Sequence, residues 1–266
     1  MFAGRRIAVA LAVLVFTGAS AGTAAAGIHH DLSLSLNWAG YAVNGTNATT
    51  GAPASFSVIS GSWTVPKVDC SQGAATWSSV WVGLGGDTRG STAVEQVGTD
   101  ADCIGLTPNY FAWYELVPAP SVPTRLKVFA GDQMTGLVIV KGTRVGFRLR
   151  DVTRGTTLTK YVSAFVVDLT SAEWVVEAPS QCDSFTCHVL PLSNFGSIAV
   201  TGGAAVGDGH AGTIADIAWA ATPIELLTED PATRLPTGIG AVPSELGADG
   251  GSFTVAYSTN LSLPTS

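Results

Sequence analysis

Charge is scarce in this sequence. Asp, Glu, Lys and Arg make up 12% of its 266 residues, about half the share of an ordinary globular domain. What charge there is leans negative, 20 acids against 13 bases, which excludes a surface built to neutralise a nucleic-acid backbone. Histidine is also thin, at positions 29, 30, 188 and 210 only. Nucleophilic Ser or Cys chemistry needs an imidazole beside the nucleophile, and none of the four is well set for it. His29 and His30 fall in an N-terminal leader, His188 adjoins a cysteine, and His210 ends the Gly-rich turn Gly207-Asp208-Gly209-His210. A Gly-x-Ser-x-Gly elbow, a phosphate loop and a dinucleotide fingerprint are all missing. No apolar run reaches the length of a membrane span. The run Ile7 to Phe16 follows Arg5-Arg6 and precedes Ala24-Ala25-Ala26, the layout of a secretory signal cleaved after Ala26.

Residues 1–26 are therefore expected to be removed and the chain exported. Their loss takes away two arginines and no acid, leaving 11 bases against 20 acids. With so few carboxylates that must stay ionised, acid should unfold this chain less readily than most. Cysteine is limited to Cys70, Cys103, Cys182 and Cys187. An even number in an oxidising compartment implies disulfides, with three pairings possible. Cys182 and Cys187 are close enough to close a small loop, which leaves Cys70 for Cys103. A metal centre is the rival reading, but the spacing is wrong and only His188 lies near. No metal and no cofactor is expected.

What the chain does contain is Gly, Val, Thr and Ser, with 31 glycines and a hydrophobic share of 46%. That composition suits an all-β secreted domain. After a short leader or pro-segment at 27–36, strand patterns occur at 37–43, 56–66, 76–84, 93–99, 110–117, 126–129, 137–140, 144–151, 160–168, 172–177, 195–200 and 251–257. Turn signals such as Asn44-Gly45, Lys141-Gly142 and Arg154-Gly155 separate several of them. Short strands at this spacing mean a sandwich or barrel. Residues 222–250, with Pro223, Pro231, Pro236 and Pro243, read as a long surface connection. Residues 37–266 make one domain, expected to act as a monomer.

The stretch Ser171-Ala172-Glu173-Trp174-Val175-Val176-Glu177-Ala178-Pro179 stands out. In a strand Glu173 and Glu177 share one face, and Trp174 with Val176 takes the other. Two glutamates on a solvent face would be unremarkable; two in a cleft would suit acid–base work. Glu95-Gln96 and Trp113-Tyr114-Glu115 are the other candidates. Adjacent strand residues face opposite ways, so only one of Glu95 and Gln96 can look into a cleft.

Taken in order, six segments resemble the glutamic peptidases, or eqolisins, in a bacterial-type form. They are Asn37-Trp38-Ala39-Gly40, Ser62-Trp63-Thr64-Val65-Pro66, Trp81-Val82-Gly83-Leu84-Gly85-Gly86-Asp87, Gln96-Val97-Gly98-Thr99, Ala112-Trp113-Tyr114-Glu115 and Ala172-Glu173-Trp174-Val175-Val176-Glu177. The resemblance implies a sandwich of two bent antiparallel sheets with a catalytic Gln–Glu pair on the concave face, falling here on Gln96 and Glu177. It implies that Trp38 and Trp81 line the same cleft, with Glu115 and Glu173 as further substrate-binding neighbours. The chain departs from the pattern at Gly85, where relatives carry an acid, and at Leu116-Val117, where they carry aromatics; both bear on substrate preference.

Peptide hydrolysis needs a base for water, an acid for the departing amine and a donor for the oxyanion. Glu177 supplies the first two and Gln96 the third. A base that works in acid must stay ionised there, so a donor beside Glu177 is expected to hold its pKa down. The expected partners are protein or peptide substrates, with no nucleic acid and no membrane once the signal is gone. Two other readings fit the same residues: a glycosidase using paired carboxylates, and a non-catalytic carbohydrate- or peptide-binding sandwich.

Overall fold

Between residues 144 and 151, Val145, Phe147 and Leu149 are buried while Arg144, Arg148 and Arg150 are exposed, the period-two pattern of a strand with one wet face. Between residues 171 and 177 every position is buried, so that strand is covered on both faces. This contrast organises the molecule.

The computed structural model describes residues 32–182, 187–230, 232–233 and 235–260. The signal segment, His29 and His30 lie outside them. The described residues form strands and no helix. In chain order these are β1 (Ser33–Ser35), β2 (Trp38–Asn44), β3 (Phe56–Thr64), β4 (Ser79–Leu84), β5 (Glu95–Ile104), β6 (Thr107–Leu116), β7 (Val122–Pro123), β8 (Gln133–Lys141) and β9 (Arg144–Asp151). There follow β10 (Thr156–Ser163), β11 (Ser171–Glu177), β12 (Ser180–Cys182), β13 (Cys187–Val189), β14 (Ser197–Gly207), β15 (His210–Thr213), β16 (Ala220–Glu229), β17 (Pro236–Pro243) and β18 (Phe253–Asn260).

One 16-stranded sheet runs β10-β9-β8-β3-β14-β18-β17-β16-β2-β11-β4-β5-β6-β7, with β1 added to β16 and β15 to β14. The path folds over on itself: β8 packs on β4 and β5, β9 on β5, and β3 on β4 and β11. The result is a β-sandwich whose two layers are continuous through β17 and β18. Trp174, Val176 and Val82 point into the space between the layers, with Trp63, Val138 and Phe147 from the second layer. The polar ends of the two indoles are satisfied across it. Trp174 Nε1 donates to Ser60 O at 2.8 Å and Trp63 Nε1 to Thr99 Oγ1 at 2.9 Å, as buried tryptophans require. Gly40 is held at φ 142°, where an added Cβ would sit 2.1 Å from Trp174 O. No other residue lets β2 and β11 approach so closely there.

The strands expected at 144–151, 172–177 and 56–66 are present within two residues of those bounds. Other expectations need correction. Residues 126–129 are a connection, and β8 begins earlier than expected, at Gln133. Residues 222–250 are not a long surface connection, because β16 and β17 occupy most of them. The prolines misled because they sit where no ladder bond is required. Pro223 faces Tyr41 of β2, and pairing with β17 begins only at Leu226. Pro236 and Pro243 end β17. Residues 33–35, within the expected leader, pair in parallel with Ile224, Glu225 and Leu226.

Both disulfides form as expected, Cys70–Cys103 and Cys182–Cys187. They close loops of different length, with sequence separations of 33 and 5. On loop entropy the first is worth about 3–4 kcal/mol and the second about 2. Replacing Cys70 and Cys103 by Ser should therefore lower the urea midpoint more than replacing Cys182 and Cys187. Equal losses would mean that native packing, not loop length, sets the cost.

Candidate active site

The face of β11 turned away from the second layer carries Glu173, Val175 and Glu177. Register fixes what lies beside each. Glu177 is level with Trp38 on β2 and Ser79 on β4, and Ser79 is level with Asp100 on β5. Val175 is level with Trp81, and the row continues through Gly98 to Trp113 on β6. Glu173 is level with Gly83, then Gln96, then Glu115. Every third-strand neighbour on this face is thus a carboxyl, an amide, an indole or a glycine. At Gly98 an added Cβ would meet Val80 O at 2.5 Å and the Trp81 Cβ at 2.7 Å, so the bare backbone is what lets Trp81 and Trp113 flank it.

An apolar cluster of Trp38, Ala42, Trp81, Val94, Trp113, Val117, Val175 and Ile224 roofs this face. The edge of Trp38 meets the Trp81 ring with centroids 5.0 Å apart. Within that roof the polar groups are paired. Trp81 Nε1 donates to Glu177 Oε2 at 2.7 Å and Asn37 Nδ2 donates to Glu177 Oε1 at 3.1 Å. Gln96 Nε2 donates to Glu115 Oε2 at 2.7 Å, while Gln96 Oε1 is buried without a partner. Trp113 Nε1 donates to Asp100 Oδ1 at 2.5 Å. Glu177, Glu115, Asp100, Ser79, Trp113 and Ser121 line a cavity of about 20 Å³, enough for one water molecule. No Lys, Arg or His lines it.

Burial dominates the electrostatics. It pushes Glu177 up to about 7, against the pull of the donors from Trp81, Asn37 and, more weakly, Trp38. The donors expected beside Glu177 are present, but the expected net lowering is not, because desolvation outweighs them. Glu95 is pushed up to about 8 by burial, with the Asp168 charge adding to it. Glu173 is raised well above its ordinary value by burial first, with Asp87, Asp168 and Glu95 adding like charge. Neither oxygen of Glu95 or Glu173 meets a hydrogen-bond partner of good geometry.

Of the residues chosen from sequence, Glu177 and Glu115 line the cavity, Trp81 hydrogen-bonds Glu177 and packs on Trp38, and Gln96 stands one hydrogen bond behind Glu115. Glu173 shares their face but sits four residues along the strand and does not line the cavity. It is also not on a solvent face, being fully buried. As the alternation required, Gln96 faces this cluster and Glu95 does not. Asn37, Asp100, Ser79 and Trp113 were given no role from sequence. Strand parity held the signal, since Asp100 is four residues from Gln96 and Trp113 two from Glu115. Among the described residues, no group of His, Cys, Asp or Glu is arranged to hold a metal ion, and no helix is long and apolar enough to cross a membrane.

A two-layer sandwich with a buried carboxyl and carboxamide under a tryptophan roof defines a class of β-sandwich hydrolase. The particular family follows from comparison. Residues 36–234 match the Peptidase A4 family, and the chain belongs to it; it is a glutamic-type peptidase. Among solved structures the fold is similar to scytalido-glutamic peptidase with a transition-state analogue inhibitor, at a TM-score of 0.67 and 23% identity, covering 84% of this chain and 98% of that one. It is similar to SCP-B, an eqolisin in complex with the tripeptide Ala-Ile-His, at a TM-score of 0.62 and 22% identity, covering the same shares of 84% and 98%. Aspergilloglutamic peptidase from Aspergillus niger follows at a TM-score of 0.56 and 26% identity, covering 69% of this chain and 99% of that one. No curated protein matches the chain by sequence.

Proposed function

We propose that this protein is a secreted endopeptidase working on the acid side of neutrality, with Glu177 as general base and acid and Gln96 as oxyanion donor. The observation that carries the reading is the shared cavity: Glu177 and Glu115 line it, and Glu115 holds Gln96. Water in that cavity loses a proton to Glu177 as its oxygen adds to the scissile carbonyl carbon. The carbonyl oxygen takes up negative charge. Gln96 uses one N–H on Glu115, which aims the amide, and the second N–H is available to the oxyanion. When the C–N bond breaks, Glu177 returns the proton to the departing amine. One titrating group thus serves both steps.

Export rests on the signal layout of residues 1–26 and agrees with two disulfides in an oxidising compartment. The pH range follows from the buried carboxyls. With Glu177 near 7, its base form grows about tenfold per pH unit up to that point. Neutral buried acids favour the folded chain in acid. A glycosidase would use paired carboxylates, and the cavity holds Glu115 and Asp100 beside Glu177, but family membership stands against that reading, as it does against a purely binding role.

Gln96→Ala tests the assignment. Losing an oxyanion donor costs about 2.7–4 kcal/mol, roughly a hundred- to a thousandfold. The loss is expected in kcat on a quenched peptide, with KM little changed. A variant that keeps most of its turnover would remove Gln96 from the mechanism.

A further inference from the structure

Glu177 is aimed by a residue that is itself held by the first strand. Asn37 Nδ2 donates to Glu177 Oε1 at 3.1 Å. The other end of that carboxamide is held by Ser35, whose Oγ donates to Asn37 Oδ1 at 3.2 Å. The same hydroxyl accepts from the backbone N–H of Asn37 at 3.3 Å and of Trp38 at 3.1 Å. Ser35 and Asn37 are both buried. We propose that Ser35 and Asn37 are positioning residues for the peptidase reaction, holding one N–H on Glu177 so that N-terminal processing must stop before β1.

The chemistry of the amide makes the chain directional. A flipped Asn37 would turn its carbonyl oxygen toward the Glu177 carboxylate, acceptor against acceptor. The Ser35 hydroxyl forbids this by donating to Oδ1. Ser35 in turn cannot drift, because β1 pairs with Ile224, Glu225 and Leu226 of β16. Asn37 O also accepts from the N–H of Ala178, next to Glu177, so the two segments are fastened by backbone as well. Cleavage after residue 35 would cut the serine away and leave the amide free to rotate. Maturation that preserves the site has to fall upstream of Ser33.

A hydrogen bond to a carboxylate favours its ionised form, so losing it moves the Glu177 titration upward. The other carboxyl groups facing Glu177 are Asp100 from β5 and Glu115 from β6, in the same cavity, and Glu173 on its own strand. On this face β2 and β4 present no ionisable side chain. None of these acids is altered by a change at Ser35 or Asn37, so a shift in the Glu177 midpoint reports the chain itself.

The role of Glu177 as base is taken from the proposed function, but the deciding measurement does not need it. Carboxyl 13C NMR follows Glu177 in the full chain, with its signal assigned by its absence in Glu177→Gln. Asn37→Ala is expected to raise the midpoint by about one pH unit. The milder Ser35→Ala is expected to raise it less, in the same direction. The acid limb of kcat/KM should move by the same amounts. If both variants keep the native fold and the wild-type midpoint, the proposal is wrong. A uniform fall in kcat with no movement of the limb or midpoint would likewise reduce the pair to a structural contact. Shifted midpoints in a protein without peptidase activity would leave the positioning chain standing and overturn the peptidase reading instead.

Discussion

Glu177→Gln should cut turnover by about a hundred- to ten-thousandfold, the range that general acid–base catalysis supplies, while the fold survives. The amide keeps the shape of the side chain and removes the only group proposed to carry the proton. It also mismatches its neighbours. Trp81 and Asn37 both present N–H to the two carboxylate oxygens, and an amide can accept from one of them only. The measurement is kcat on a quenched peptide, with near-ultraviolet circular dichroism to check packing. Near-normal turnover in a native-like variant would end the assignment. Glu173→Gln is the control. It changes a carboxyl on the same face outside the cavity, so turnover should stay within a few-fold of wild type.

The second large effect is on stability against pH. Glu95 near 8, Glu177 near 7 and Glu173 well above its ordinary value all have raised folded-state pKa values. In the unfolded chain these groups ionise near 4.3. Below that pH both states are protonated and stability is complete. As pH rises from about 4 to 8 the unfolded chain releases protons that the folded chain keeps, so stability falls and then levels off. For Glu95 alone the difference amounts to about 5 kcal/mol, a large share of a typical domain's stability. Exposed Asp69, Asp230 and Asp249, lowered by hydrogen bonds from their own turns, pull the other way below about pH 4, only weakly. Urea unfolding at pH 4 and pH 8 should show the acid sample to be the more stable. Glu95→Gln should shrink the difference, leaving the part due to Glu177 and Glu173. Stability that is level or rising between those two values would contradict the burial of these acids.

The two effects bound the working range from opposite sides. Proton loss from Glu177 raises activity toward pH 7, while the cost of keeping Glu95 and Glu173 protonated in the fold lowers stability over the same rise in pH. A carboxyl kept neutral by burial is an asset only where the solution leaves it neutral. The same desolvation that makes Glu177 a poor base in strong acid keeps the protein folded there.

Some of this was legible in the chain itself. Period-two alternation gives Glu173 and Glu177 one face and Trp174 and Val176 the other, because successive side chains in a strand point oppositely whatever surrounds them. The same rule separates Gln96 from Glu95. The close spacing of Cys182 and Cys187 favoured one disulfide and left Cys70 for Cys103. The order of six segments identified the family. Alternation could not say which face is wet, and it left Glu173 and Glu177 equally credible as solvated residues. Burial of both came from the tryptophan roof, built by β2, β4 and β6, strands distant in sequence. Pro223 and Pro236 read as loop signals because a lone sequence does not reveal which ladder positions lack a partner. The ionisation of Glu177 was beyond local reading as well. Its donors lie 140 and 96 residues away, and their pull is outweighed by desolvation, a property of the enclosing volume that exists only once the layers have closed.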